Sequence, residues 1–157
     1  MNETLTTEEK ATNYLTFRHI ERVRNLLSLM VKQLLDRAEL HDQSKLVPPE
    51  VSAFTEHTKN LAASTYGSEE YKGFLKSDSL KPALAHHYAN NRHHPEHFKN
   101  GVDDMNLIDV LEMLCDWKAA SERHNDGNIR TSIEKNADRF KLSSQMVRIL
   151  ENTADLF

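Results

Sequence analysis

The stretch from Thr7 toward Arg37 limits most what this chain can fold into, because it reads as one long, strongly amphipathic helix. Glu8 and Glu9 follow Thr7 and suit the positive end of a helix dipole. At about 100° per residue, Val23, Leu26, Leu27, Met30 and Leu34 form an apolar stripe with His19 inside it, while Glu21, Arg24, Ser28 and Lys32 lie opposite.

The rest of the chain reads the same way. Only four glycines and four prolines occur in 157 residues, 38% are hydrophobic and 28% charged, so disorder and a turn-rich all-β fold are both disfavoured. No repeat or linker divides the chain. The expectation is one all-α domain over 1–157, a compact bundle of about 6–7 helices, with residues 15–125 as core and the helices of 130–156 as scaffold.

A second helical segment is expected over Ala38–Lys45, and a third from Pro48-Pro49 through Val51 and Phe54. Ser64–Lys76 reads as a loop with a short helix. Ser79 with Pro82 opens a helix through Leu80, Leu84 and Tyr88, which Pro95 ends by restricting His94. Asn106–His124 is the most apolar helix, with its exit at Asp126-Gly127. Thr131 with Glu134 has capping-box spacing for a helix to about Lys141, and Ser143 caps a last helix through Met146, Ile149 and Leu150.

Charge and cysteine content narrow the function. A net charge of -4 offers no field for a long nucleic acid. Lone Cys115, a polar first decapeptide and no run of ~20 apolar residues suggest the cytoplasm and no membrane. If the chain self-associates, a homodimer is the default.

Nine histidines are the unusual count, five of them between His86 and His97. Imidazoles with carboxylates hold Zn, Mn, Fe, Ni or Co, so a divalent transition metal is the expected cofactor, as one ion or two. His19 lies in the apolar stripe of the first helix. His41 and Asp42 are adjacent in HDQSK and can serve one ion from a bend. In AHHYANNRHHPEHF, a helical projection puts His87, Asn91 and His94 beside Leu80 and Leu84, with His86 and His93 about 100° away, which favours His87 and His94. In NLIDVLEMLCDWKAASER, Asp109, Glu112, Asp116 and Arg123 share a wedge of roughly 60°, set inward because Lys118, Ser121 and Glu122 mark the other side. Cys115 reads as a buried small hydrophobe and Trp117 as core.

With these residues in view, the chain resembles the HD superfamily of metal-dependent phosphohydrolases, whose pattern is an early His, a His-Asp pair and a late helical Asp. His19, His41-Asp42 and Asp116 match that order, HDQSK is similar to the HDxxK form, and the intervening histidine pairs resemble dinuclear members. More narrowly, the chain is similar over about residues 15–125 to short bacterial and phage proteins with HD, HH, NRHHPEH and EMxCDW blocks.

The resemblance implies a first ion on His19, His41, Asp42 and Asp116, with Asp109 competing for the late position. His87 and His94, with His86 or His93, would hold a second ion that shares Asp42; Glu112 is a further candidate. It implies metal-activated water attacking a nucleotide or another small phosphoester. Asp42 and Lys45 would act in catalysis, and Lys45, Arg18, Arg123 and Asn91 would contact substrate. Two alternatives stay open: a di-iron HD-type oxygenase, and a non-catalytic metal-binding regulatory module. Glu50 and Glu56 could orient the nucleophilic water, but Glu50 beside Pro49 is as well explained by stabilising a helix start, and both are left outside the catalytic set.

Overall fold

A computed structural model describes residues 5–63, 80–123 and 127–157. Its contacts group the chain into two units, Met1–Glu39 and Leu40–Phe157. The loop expected over Ser64–Lys76, the opening residue Ser79 and the exit residue Asp126 lie outside the described residues, as does His124. The described residues are helices, short 3-10 turns and connecting segments, and the fold is all-α. Among them no helix is long and apolar enough to cross a membrane.

The first unit is carried by α1 (Thr7–Leu40), 34 residues long. Its start is a reciprocal cap: Glu9 N donates to Thr6 Oγ1 at 3.2 Å and Thr6 N donates to Glu9 Oε2 at 2.7 Å. None of its side chains is buried. The predicted stripe forms but stays exposed except at half-buried Leu34, with Leu27 at 61%, and His19 is exposed with it.

In the second unit α1 does not hand over to a further α-helix at Ala38–Lys45. It runs on to Leu40, the chain turns at His41-Asp42 with Asp42 in the left-handed region (φ 56°), and Gln43–Leu46 forms a 3-10 turn. Helix α2 (Glu50–Ala63) starts just after Pro48-Pro49. Helix α3 (Lys81–Asn90) carries Pro82 in its first turn, as read from the sequence, but ends four residues before His94. Asn91 is already extended (φ -124°, ψ 106°), and so is His94 (φ -95°, ψ 126°) ahead of Pro95.

Helix α4 (Leu107–Ser121) opens on a capping box. Asn106 Oδ1 accepts from Ile108 N at 2.9 Å and Asp109 N at 3.0 Å, while Asp109 Oδ2 accepts from Asn106 N at 3.1 Å. Helix α5 (Ile129–Phe140) is capped by Asn128, whose side chain accepts from Arg130 N, so Thr131 lies within the helix rather than at its cap. Ser143 caps α6 (Ser144–Ala154) as expected.

Helix α4 packs on α5, and α5 on α6. Their inner faces bury Val110, Met113, Leu114, Trp117, Ile133, Leu150 and Ala154 in one cluster, with Trp117 stacked on Phe140 at an interplanar angle of 3°. This apolar side anchors α4 and leaves its other side, with Glu112 and Asp116, free for polar work. Helix α2 packs against α3 and the 3-10 turn, which brings Glu50 to the histidines.

Candidate metal centre

The second unit draws His41 and Asp42 from the turn after α1, His87 from α3, His93 and His94 from the segment after α3, and Asp116 from α4 into one place. Two overlapping groups of donors result: Asp42, His87, His93 and His94, and His41, Asp42, His93 and Asp116. Asp42 and His93 belong to both.

Distances between facing donors separate this arrangement from a hydrogen-bonded cluster. His87 Nε2 is 3.5 Å and His93 Nε2 3.6 Å from Asp42 Oδ1; His41 Nε2 is 3.5 Å from Asp42 Oδ2 and 3.7 Å from Asp116 Oδ1. Each exceeds a normal hydrogen bond. With metal–ligand bonds of ~2.1 Å at tetrahedral angles, neighbouring ligand atoms stand about 3.4 Å apart. Asp42 Oδ1 and His93 Nε2 are also buried with no hydrogen-bond partner among the described residues. Two orphaned buried donor atoms facing each other across 3.6 Å fit a cation between them. One pair is tighter: His87 Nε2 and His94 Nε2 share a hydrogen bond at 2.7 Å and must spread to hold an ion.

Two carboxylates, one half-buried and one fully buried, orient the rings from behind. Glu112 Oε1 accepts from Nδ1 of His41 at 3.0 Å and Nδ1 of His93 at 3.1 Å. Glu50, fully buried, accepts from His86 Nδ1 at 2.7 Å and His87 Nδ1 at 2.9 Å. A carboxylate on Nδ1 fixes the tautomer that presents Nε2 to an ion. Asn91 holds the same region, its Nδ2 donating to Ser44 Oγ and to the His87 carbonyl, each at 2.8 Å.

Protonation follows the same layout. Burial, with the charges of His93 and His87, holds His94 down to about 3, and burial also lowers His87, so both are neutral imidazoles able to ligate. The carboxylates of Asp116 and Glu112 raise His41 to about 10 against the opposing effect of burial. Burial pushes Asp42 up, yet Lys45, His41 and His87 together outweigh it and keep the carboxylate below its ordinary value. Asp116 and Glu50 are likewise held low, burial being offset chiefly by His41 for the first and His86 for the second.

Several residues singled out in the sequence belong to neither donor group. His19 and Arg18 are exposed on α1 in the first unit, Arg18 Nη1 donating to Tyr14 Oη at 3.3 Å. Arg123 is exposed just after α4. Asp109 is fully buried but committed to structure: its oxygens accept from Arg92 Nε at 3.1 Å and Nη2 at 3.0 Å, besides capping α4. His86 and Glu112 join the cluster as ring partner and orienting carboxylate, outside both donor groups. Asn91 is buried beside His87 and donates to its carbonyl. Cys115 is exposed, not a buried hydrophobe, whereas Trp117 is core as expected. His93, which the helical projection ranks below His94, is a member of both groups, and Glu50, read as a water-orienting or helix-start acid, holds two histidine rings. The sequence signal for His93 was Pro95, which ends the projection.

The chain is thus an all-α protein whose second unit assembles a His/Asp cluster able to hold a metal. It belongs to the family described as a family of unknown function, DUF5662, whose model matches residues 8–156. No curated protein and no solved structure matches it.

Proposed function

We infer that this chain is a metal-dependent phosphohydrolase of the HD type, acting on a nucleotide or another small phosphoester. The observation that carries the reading is the pair of orphaned buried atoms, Asp42 Oδ1 and His93 Nε2, facing each other beyond hydrogen-bond reach with further histidines around them. The HD resemblance supports it, since His41, Asp42 and Asp116 meet in one group.

Asp42, His87, His93 and His94, or His41, Asp42, His93 and Asp116, would hold a divalent ion, whose chemistry would be water activation and polarisation of a phosphoryl oxygen. The chain's own residues do the rest. Asp42, with two oxygens facing different partners, positions the centre. Glu112 and Glu50 keep Nε2 of His41, His93 and His87 turned inward. Lys45, partly exposed and 2.6 Å from Asp42 Oδ2, sets a cation beside the cluster where a phosphoryl oxygen can meet it.

The test is elemental analysis of untagged protein for Mn, Fe, Zn, Ni and Co, followed by phosphate release from nucleotides and p-nitrophenyl phosphate. Bound metal and EDTA-sensitive hydrolysis, lost in Asp42→Ala, are expected. Absence of metal, or no ester cleaved by the loaded protein, overturns the reading.

The run of three neighbouring ligand histidines favours a second reading, a di-iron oxygenase, because imidazole suits iron. Iron content with substrate-dependent oxygen uptake selects it. Metal binding without turnover, with only stability lost in Asp42→Ala, selects a non-catalytic metal-binding module.

A further inference from the structure

The donor atoms of the cluster divide unequally, and the division bears on whether one ion or two are held. Asp42 sits at a left-handed turn that sends its two oxygens to different partners. Oδ1 faces His87 Nε2 at 3.5 Å and His93 Nε2 at 3.6 Å and has no hydrogen-bond partner among the described residues. Oδ2 faces His41 Nε2 at 3.5 Å and already lies 2.6 Å from the ammonium of Lys45.

His93 cannot serve both halves. Its Nδ1 is committed to Glu112 at 3.1 Å, and a neutral imidazole whose Nδ1 donates has one lone pair left, on Nε2. That nitrogen lies opposite Oδ1. The Oδ1 half therefore has four donors, from Asp42, His87, His93 and His94, while the Oδ2 half keeps Asp42, His41 and Asp116 and is already partly neutralised.

We propose that Lys45 is a built-in cation for the Oδ2 half, so that the chain binds one divalent ion tightly on the Oδ1 side and a second only weakly, by displacing the ammonium. The proposal rests on the metal reading above. Its physical basis is the turn at Asp42: Lys45 N donates to Asp42 O at 2.9 Å where the 3-10 segment begins, and this closure holds the Lys45 ammonium 2.6 Å from Asp42 Oδ2. The Phe54 ring, 5.9 Å from Nζ, adds a cation–π contact that steadies the ammonium. A second ion must part a charge-assisted contact and tolerate a like charge a few ångströms away. A phosphoester arriving at the cluster then meets one divalent ion and one ammonium.

Metal-stripped full-length protein is titrated with Mn(II), with binding followed by calorimetry and electron paramagnetic resonance, for wild type, Lys45→Met and Lys45→Arg. Wild type and Lys45→Arg are expected to bind one ion tightly and a second at least about tenfold more weakly, without the spectrum of an exchange-coupled pair. Lys45→Met is expected to tighten the second site at least about tenfold and to show the coupled spectrum, the first site changing less. Circular dichroism checks the fold, and Lys45→Gln replaces the Met variant if that one unfolds. Two equally tight ions in wild type, or a Lys45→Met isotherm that overlays wild type, overturn the role of Lys45 and leave the metal reading standing. No binding of Mn(II), or of Zn(II) in parallel dialysis, by any form overturns both.

Discussion

A histidine offers a metal one nitrogen, so the group on its other nitrogen decides how well it does so. Glu112 holds Nδ1 of His41 and of His93, and Glu50 holds Nδ1 of His87. Glu112→Gln should lower metal affinity by about 10–100-fold, because it loosens two ligands at once, and Glu50→Gln should loosen His87 alone. Calorimetry against wild type checks this, and unchanged affinity in both variants rules out the orienting role. The same residues set the pH dependence of metal-stripped protein. The unfolded chain protonates its histidines below pH 6.5, whereas folded His94 resists down to about 3 and folded His87 is held low as well. Their contribution is present above pH 6.5 and is lost as pH falls toward 3. Asp42, Asp116 and Glu50, also held low, lose theirs as pH falls through the carboxylate range. His41 has the opposite sign: raised to about 10 from 6.5, it stabilises fully below pH 6.5 and ceases to do so as pH rises through 10. The thermal midpoint should therefore fall on both the acid and the alkaline side. His41→Asn should remove the alkaline fall attributable to this group, and an alkaline limb identical to wild type contradicts the assignment.

At the scale of elements, helix ends decide which residues meet. Asp109 shows how a residue can share a wedge with Asp116 and still do other work: position in the first turn of α4 commits it to the cap and to Arg92. Asp109→Ala should cost about 1–3 kcal/mol in urea melts, the Arg92 side being partly exposed, while metal content persists. Loss of metal at unchanged stability would make Asp109 a ligand. The acidic wedge itself was readable, since a 3.6-residue period and the position of Lys118 put Glu112 and Asp116 inward. The HDQSK segment was less so, because no propensity announces a left-handed Asp42 and a 3-10 turn in place of an α-helix. The histidine run misled for a related reason. Projection as a continuous helix favours His94 over His93, yet the helix stops at Asn90, and a turn closed by His94 N donating to Asn91 O at 3.3 Å lets adjacent His93 and His94 both reach the cluster. Glu50 was hidden because its partners lie on α3, more than thirty residues away.

Across the whole molecule, the ligands come from three parts of the second unit that have little else in common: the turn after α1, the α3 region and α4. Helices α5 and α6 supply no ligand but bury Leu114 and Trp117 of α4 against Ile133 and Leu150, which fixes the helix that carries Glu112 and Asp116. The apolar periods of these helices were legible in the sequence; the meeting of the three ligand segments was not, because it depends on pairwise helix packing. An ion that ties such segments together binds the folded form and not the unfolded chain, so it must stabilise the fold. At about one hundred times its dissociation constant an ion adds about 2.7 kcal/mol, or about 10 °C in the midpoint for a unit of this size. Melting of wild type with Mn(II) and with EDTA should show that difference. Leu150→Ala should lower both midpoints through the cavity it opens, by about 2–5 kcal/mol, while keeping the gap between them. His93→Ala should remove most of the gap, and in EDTA it should lower the midpoint only by what its buried ring and its Nδ1 contact with Glu112 contribute, since its Nε2 has no partner for the metal-free fold to lose. A gap that survives His93→Ala places the ion elsewhere, and a gap that vanishes in Leu150→Ala makes the site depend on the core more closely than the separation of the two faces of α4 allows.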